Sequence, residues 1–236
     1  MLKKQALEII GGLSKPSKMP CFGYSIPAEK CNVGGRLRKV EGSICSSCYA
    51  LKGMYLFKNV KNALQMRYEK LSHALENDSS TFKLAFKTLL EKQSYFRWHD
   101  SGDLINESHL KMIVEIALEN PHVKFWIPTR EFKLVSDYFK TNAKPENLTI
   151  RLSATKVDAP APEKTAKNYS LTVSGVHTKQ TNYTSCESKY NTNGKLTKSG
   201  KPDTGFCSGT DTRTGKQVDC RKCWNNNEFS ISYPIH

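Results

Sequence analysis

Short apolar runs alternate with amphipathic segments through the middle of the chain, and this pattern limits the fold more than any other feature. The apolar runs, which we predict to be strands, are residues 95–98, 123–127, 148–152 and 169–173. Helical periodicity marks the segments 59–75, 82–90 and 107–120, and a shorter helix ends near residue 140. Alternating strands and helices predict an α/β domain whose parallel sheet, open or closed into a barrel, is covered by helices.

Polar side chains follow the first three predicted strands at the point where each strand ends. Because parallel α/β proteins bind ligands at the carboxyl ends of their strands, these residues predict a site for a charged small molecule or a proton transfer. The candidate catalytic residues are His99, Asp100, Asp103, Arg130 and Glu131. The alternative is that they are ordinary loop residues, with Arg130 and Glu131 paired locally. His99 and Asp100 are adjacent, so alternation predicts that only one of them points inward.

Eight cysteines form two groups near the ends of the chain. The N-terminal four are Cys21, Cys31, Cys45 and Cys48, and the C-terminal four are Cys186, Cys207, Cys220 and Cys223. Each group contains one Cys-x-x-Cys pair, whose spacing lets a tight turn direct two thiolates to one metal. Disulfides are disfavoured because no secretory signal is visible, and a catalytic dithiol would leave six cysteines unexplained. We therefore predict that all eight cysteines bind metal.

The spacing of the cysteines leaves the metal and the pairing of the cysteines open. No histidine accompanies either group, and all-thiolate sets suit both 4Fe–4S clusters and zinc. In a closed barrel the first and last strands are neighbours, so Cys45 and Cys48 could instead share a site with Cys220 and Cys223. Iron–sulfur and zinc therefore both remain open at this point.

The chain is strongly basic, with 36 Lys and Arg against 22 Asp and Glu and a formal net charge of +14. Such an excess attracts polyanions, of which nucleic acid is the commonest in a cell, although a lysine-rich surface also serves solubility. The aromatic residues Tyr55, Phe57 and Tyr68 lie among these lysines. No apolar run approaches the ~20 residues that cross a bilayer. We expect a protein of the reducing cytoplasm with no membrane association.

Five motifs together resemble the bacteriophage "gene product 88" family, which occurs in phages and mobile elements. They are Lys18-Met-Pro-Cys21, Cys45-Ser-Ser-Cys-Tyr-Ala-Leu-Lys-Gly53, Phe96-Arg-Trp-His-Asp-Ser-Gly-Asp-Leu104, Phe125-Trp-Ile-Pro-Thr-Arg-Glu131 and Cys220-Arg-Lys-Cys-Trp224 with Tyr233-Pro-Ile-His236. The resemblance runs from about residue 18 to the end of the chain. It implies a phage-type protein that acts in the cytoplasm of a bacterial host cell.

The order of parts is also similar to that of radical-SAM enzymes: an early cysteine loop, a helix, and a strand that ends in a Gly-acid turn. This resemblance implies a partial or degenerate (β/α) barrel with a Cys-rich N-terminal loop and a Cys-rich C-terminal extension. It implies a 4Fe–4S cluster on three N-terminal cysteines, with S-adenosylmethionine on the open iron, and so favours iron–sulfur over zinc, the alternative metal. The residues that would contact this cofactor are Ser101, Gly102, Asp103 and Ser153.

The predicted organisation is an α/β core, residues 1–178, which includes the cysteine loop 21–48, and a Cys-rich extension, residues 179–236, packed on it. The preferred function is a radical-SAM-like enzyme with an auxiliary cluster on the C-terminal cysteines, acting on a small molecule or nucleic acid. One alternative is a non-catalytic nucleic-acid-binding protein in which iron–sulfur or zinc acts as a staple. The other is an electron-transfer or redox-sensing iron–sulfur module.

Overall fold

The computed structural model describes residues 1–179 and 181–235, so Gln180 and His236 of the predicted extension lie outside it. The helices are α1 (Lys3–Ile10), α2 (Asn32–Leu37), α3 (Lys58–Glu76), α4 (Ser80–Leu90), α5 (Glu107–Glu119), α6 (Phe132–Phe139) and α7 (Glu163–Asn168). Short 3₁₀ helices cover Ala28–Lys30, Ile44–Ser47, Tyr49–Leu51, Gly53–Leu56, Glu187–Tyr190 and Lys222–Trp224. Within the described ranges, no helix combines the length and the apolar character needed to cross a membrane.

A seven-stranded parallel sheet forms the centre of the fold. Its strands are β1 (Phe22–Tyr24), β2 (Tyr95–Trp98), β3 (Lys124–Thr129), β4 (Leu148–Ser153), β5 (Thr172–His177), β6 (Thr184–Ser185) and β11 (Ser230–Pro234). They lie in the order β1-β2-β3-β4-β5-β11-β6, and every neighbouring pair is parallel. The structure thus confirms a mixed α/β fold with a parallel sheet and helices. In the part of the chain described, β1 and β6 are the edges of this sheet, and no closed barrel is formed.

The predicted strands and helices correspond to observed ones, with one displaced boundary. The predicted fourth strand, residues 169–173, begins only at Thr172. Helix α7 occupies residues 163–168, directly before the predicted strand. Ser170 then adopts a left-handed backbone conformation, with φ of 52°, and turns the chain before the strand starts. Neither α7 nor the turn shows a periodicity long enough to be read from the sequence.

The two faces of the sheet are built differently because successive strand residues project to opposite sides. One face carries large apolar side chains, among them Phe96, Trp98 and Ile127, which form the main core with α1 and α3–α6. The opposite face, which we call the extension face, carries Arg97 and Trp126 and is contacted by the C-terminal extension. The sheet therefore separates an ordinary hydrophobic core from a second, smaller cluster rich in cysteine and aromatic residues.

The C-terminal extension forms a small sheet and then returns to the main one. Strands β7 (Asn191–Leu196), β8 (Pro202–Thr204), β9 (Ser208–Asp211) and β10 (Gln217–Asp219) make an antiparallel sheet in the order β10-β9-β7-β8. The chain then turns through Lys222–Trp224, and β11 inserts between β5 and β6. Trp224 fixes this turn, since its indole nitrogen donates to the Phe96 carbonyl at 2.8 Å.

Arg151 holds the same turn from the centre of the sheet. The side chain is fully buried on β4. Its guanidinium donates to the main-chain carbonyls of Val173, Lys222, Cys223, Asn225 and Glu228, at 2.9–3.3 Å. Because a buried guanidinium without these acceptors would be strongly unfavourable, Arg151 and the turn stabilise each other.

Candidate functional site

Cys31, Cys45 and Cys48 form the first cysteine group. A Cβ atom added to Gly34 would lie 3.6 Å from the sulfur of Cys31 and 3.7 Å from that of Cys45, so both thiols lie close to this glycine. Cys48 is one turn further on, and its amide donates to the Cys45 carbonyl at 3.3 Å. Burial raises the pKa of both Cys31 and Cys45, and the neighbouring Cys48 thiol raises it further. The same added Cβ would lie only 3.0 Å from the Cys31 Cβ, so glycine at position 34 permits the close approach of the helix backbone to Cys31.

Two anchors hold this group over the carboxyl ends of the central strands. Helix α2 begins directly after Cys31. The Val33 amide in its first turn donates a hydrogen bond of 2.8 Å to the carboxylate of Glu131, which lies just after β3. The Ile44 amide, directly before Cys45, donates to the Thr155 carbonyl beyond β4 at 2.9 Å. The cysteine loop therefore lies at the edge of the sheet where parallel α/β proteins bind ligands.

Asp103 and Arg130 lie beside the first cysteine group. The Asp103 carboxylate accepts hydrogen bonds from the Leu104 amide (2.8 Å), the Thr129 hydroxyl (2.6 Å) and the Arg130 amide (2.9 Å). Burial raises the pKa of Asp103, while these hydrogen bonds oppose the rise. The Arg130 guanidinium lowers the pKa of the Cys45 thiol, whereas the negative charge of Asp103 raises it. With Glu131, three of the five predicted catalytic residues therefore adjoin the thiols.

His99 and Asp100 lie elsewhere, and the backbone explains why. His99 adopts a left-handed conformation, φ 56°, and its ring packs against that of His109 on α5, with centroids 5.2 Å apart. Neither of its ring nitrogens has a hydrogen-bond partner among the described residues, and burial lowers its pKa well below the ordinary value. Asp100 instead accepts hydrogen bonds from the hydroxyls of Ser25 and Tyr55. The structure thus places the His99 ring against His109 and gives Asp100 two hydroxyl donors, while the Asp100 charge adds to the rise in the pKa of Cys21. The catalytic roles of His99 and Asp100 stay predictions.

The residues predicted to contact a cofactor have protein partners in this structure. The Ser101 hydroxyl donates to the Ile26 carbonyl at 3.0 Å, and those of Ser153 and Ser174 lie 3.0 Å apart. Gly102 has φ of +85°, and a Cβ there would lie 2.8 Å from the Ile26 carbonyl oxygen. Contacts within the protein are therefore enough to explain why serine and glycine occupy these positions. The role of these residues in cofactor binding stays a prediction.

Cys21 lies with the C-terminal cysteines, and the five residues form the second cysteine group. Cys21 and Cys223 belong to one buried cluster on the extension face with Trp126 and Trp224, and Cys186 packs against it. Burial raises the pKa of Cys207 to about 12, and the thiols of Cys223, Cys186 and Cys220 contribute to the rise. The members of this group are Cys21, Cys186, Cys207, Cys220 and Cys223. The structure thus divides the cysteines three and five, where sequence position divides them four and four.

The profile of one protein family covers nearly the whole chain: gene product 88, matched over residues 2–226. The chain belongs to the gene product 88 family. This confirms the family resemblance that the sequence motifs indicate, and the matched range contains both cysteine groups. Neither a curated protein nor a solved structure gives a significant match. The similarity to radical-SAM enzymes stays a prediction.

Sequence reasoning missed the two arginines that organise the extension face of this gene product 88 protein. Arg97 stacks on Trp126, with its guanidinium carbon 4.6 Å from the ring centroid. Burial raises the pKa of Cys21 to about 12, and the charge of Arg97 opposes that rise. Arg151 holds the turn that carries Cys223. The sequence could have indicated both residues, because each is a charged residue within a predicted apolar strand, and burying an unpaired charge is energetically unfavourable.

The thiols offer a donor set for metal, but they do not form a finished ion site. All eight cysteines are free. Among residues 1–179 and 181–235, no three His, Cys, Asp or Glu side chains are arranged so that they could hold a metal ion. The first cysteine group nevertheless combines three neighbouring thiols into an all-sulfur donor set of the kind that iron–sulfur clusters use. The metal assignment of the eight cysteines therefore stays a prediction.

Proposed function

We propose that this chain is an iron–sulfur enzyme of radical-SAM type, with a 4Fe–4S cluster on the first cysteine group. The observation that supports the proposal most directly is the place of Cys21. It packs with Cys223 on the extension face and leaves only Cys31, Cys45 and Cys48 over the strand ends. Three thiolates leave one of four irons without a protein ligand, and S-adenosylmethionine is the ligand proposed for it.

Iron–sulfur is preferred to zinc because of the donors available. Structural zinc sites are closed by four Cys or His ligands, and catalytic zinc sites draw mostly on His and carboxylate ligands. The first group has three thiols, and the nearest carboxylate, that of Asp103, is already committed to three hydrogen bonds. The second cysteine group has thiols enough for the four ligands of an auxiliary cluster.

The surroundings of the first group suit a charged small molecule. The strands follow chain order from β1 to β5, which supports a partial (β/α) barrel whose mouth lies at their carboxyl ends. There Asp103 supplies a fixed negative charge, and Arg130 is held by its own hydrogen bond to the Ala154 carbonyl at 3.1 Å. A reduced 4Fe–4S cluster supplies single electrons to a ligand on its open iron. Asp103 and Arg130 would orient that ligand.

The test is the metal content and spectroscopy of anaerobically purified protein. We expect iron with acid-labile sulfide, and an EPR signal of the reduced protein that changes when S-adenosylmethionine is added. Cys31→Ala should abolish the S-adenosylmethionine-responsive signal, while the matched control Cys21→Ala should retain it.

Two results would overturn the proposal. Zinc without sulfide would exclude clusters altogether. A wild-type EPR signal that does not change with S-adenosylmethionine, together with loss of the first cluster in Cys21→Ala as well as in Cys31→Ala, would indicate four protein ligands at that cluster and no open iron. In that case an electron-transfer or redox-sensing module would replace the enzyme.

A further inference from the structure

Residues 49–58, which we call the platform, expose large apolar side chains next to the first cysteine group. The platform begins directly after Cys48 and ends at the start of α3. Tyr49 is 59% exposed, Met54 71%, Leu56 55% and Phe57 58%. Single exposed apolar residues are ordinary, but several within ten residues of chain form a patch of the kind that marks a binding surface.

Asp100 anchors the platform through two of its aromatic residues, Tyr49 and Tyr55. The hydroxyl of Tyr49 donates to the Asp100 carbonyl, and that of Tyr55 donates to the Asp100 carboxylate at 3.0 Å. The two rings meet edge to face, with centroids 5.8 Å apart. Tyr49 therefore combines a hydroxyl that is hydrogen-bonded to Asp100 with a side chain that is largely open to solvent. Asp100 thus acts as the anchor of an exposed aromatic surface.

The charged side chains of the platform and of the first half of α3 are all positive. No Asp or Glu occurs between residues 42 and 68. Lys52, Lys58 and Lys61 are exposed, and none of them forms a salt bridge with another described residue. Exposed aromatic rings interleaved with free lysines are what proteins use to bind single-stranded nucleic acid, because bases stack on the rings and phosphates pair with the lysines.

We propose that the platform binds single-stranded DNA or RNA and presents it to the first cysteine group. The binding itself follows from the platform, whereas the presentation to a reactive centre rests on the proposed function. A single strand fits better than a duplex, because paired bases are stacked on each other and cannot stack on Tyr49 or Phe57. The lysines favour nucleic acid over a protein partner, since an apolar protein contact gains nothing from three unpaired cations.

The test measures the binding of a fluorescein-labelled mixed-sequence strand of about 12 nucleotides, a typical length for such sites, to the full anaerobic protein by fluorescence anisotropy. Phe57→Ala removes an exposed ring, and a triple variant, Lys52→Gln with Lys58→Gln and Lys61→Gln, removes the cations. The control triple variant, Lys195→Gln with Lys198→Gln and Lys201→Gln, makes the same charge change at exposed residues around β7 and β8. Circular dichroism checks that each variant is folded.

We expect Phe57→Ala to weaken binding about 5- to 150-fold, the range for losing one base–aromatic stack. The platform triple variant should reduce the slope of log affinity against log salt by about 2, because each lost contact to a single strand removes about 0.7. The control triple variant should bind nearly as the wild type does. Equal losses in the two triple variants, or equal affinity for a duplex of the same sequence, would overturn the proposal. Absence of binding at low salt would do so too and would assign the platform to a protein partner.

Iron and sulfide are measured on the same preparations, so that the two proposals fail separately. Iron-loaded protein that does not bind the strand overturns the platform alone. Protein that binds the strand but holds no iron–sulfur cluster overturns the proposed function alone.

Discussion

Gly102 offers a sharp test of whether the turn after β2 is built for the fold or for a ligand. The residue has φ of +85°, a conformation that L side chains rarely adopt. A Cβ at this position would lie 2.8 Å from the Ile26 carbonyl oxygen and closer still to the Ile26 Cγ1 atom. Ile26 is itself fully buried and bonded to Ser101, so it has little freedom to move away. Gly102→Ala should therefore strain the backbone and create a clash in the core.

The expected magnitude combines two terms. Placing a non-glycine residue in the left-handed region costs about 1–2 kcal/mol. Forcing an extra methyl group into a packed site costs about 1–3 kcal/mol. Gly102→Ala should therefore reduce the free energy of unfolding by about 2–5 kcal/mol. For a chain of this size such a loss lowers Tm by roughly 4–20 °C.

Gly42→Ala is the matched control, because Gly42 also has a positive φ, 73°, but its Cβ would meet nothing within 4 Å. It should show only the backbone term, about 1–2 kcal/mol. Urea denaturation and thermal melting followed by circular dichroism measure both variants. Equal destabilisation by the two substitutions would refute the packing argument. A fully stable Gly102→Ala protein that fails to bind S-adenosylmethionine would show instead that Gly102 makes room for a ligand.

Three further variants probe the supports of the site. Arg151→Met should cost at least about 3 kcal/mol in urea denaturation and expose residues 220–228 to proteolysis, because several buried carbonyls lose their donor. Burial lowers the pKa of His109 to about 3, so only the unfolded chain gains this proton below about pH 6.5. The His109 contribution should lower stability on acidification by up to about 1.4 kcal/mol per pH unit. His109→Asn should therefore make the pH dependence of the urea midpoint less steep between pH 7 and pH 4.5, and the buried His99 should account for part of the slope that remains. Glu131→Ala releases the first turn of α2 and should weaken metal binding at the first cysteine group about 10- to 100-fold in chelator competition.

Each of these expectations has a result that contradicts it. Wild-type resistance of Arg151→Met to protease would mean that the C-terminal turn is held by other contacts. A His109→Asn protein whose urea midpoint has the pH dependence of the wild type would exclude the buried imidazole as the cause. Unchanged metal affinity in Glu131→Ala would show that Cys31 is positioned without the Glu131 hydrogen bond.

Local periodicity was sufficient to predict the long elements of this fold. Helix α5 and strands β2–β4 match their predicted positions to within one or two residues, because each shows its own apolar period. Strands β1 and β11 were missed. The first has only three residues, and β11 exists because it pairs with β5 and β6, more than forty residues earlier in the chain. No local pattern records such a pairing.

The candidate site was predicted in part, for a similar reason. Asp103, Arg130 and Glu131 could be found because the ends of parallel strands meet at one edge of the sheet, whatever the other details. The direction of the His99 side chain could not be predicted, since it depends on a single left-handed φ and on the space beside His109. The catalytic role of Asp100 stays a prediction, whereas no local pattern could show that Asp100 accepts hydrogen bonds from two tyrosines distant in sequence.

Residue types and their spacing were enough to establish the α/β class, the family, and the existence of two sets of clustered thiols. These properties depend on residue type and on short-range spacing, which a linear chain displays directly. Only the tertiary structure decided how the cysteines are divided. Phe22 projects into the main core, so the adjacent Cys21 lies on the extension face beside Cys223. Because the side chains of Cys21 and Phe22 project to opposite faces of the sheet, Cys21 is separated from Cys31. Three thiols, rather than four, therefore lie over the carboxyl ends of the strands.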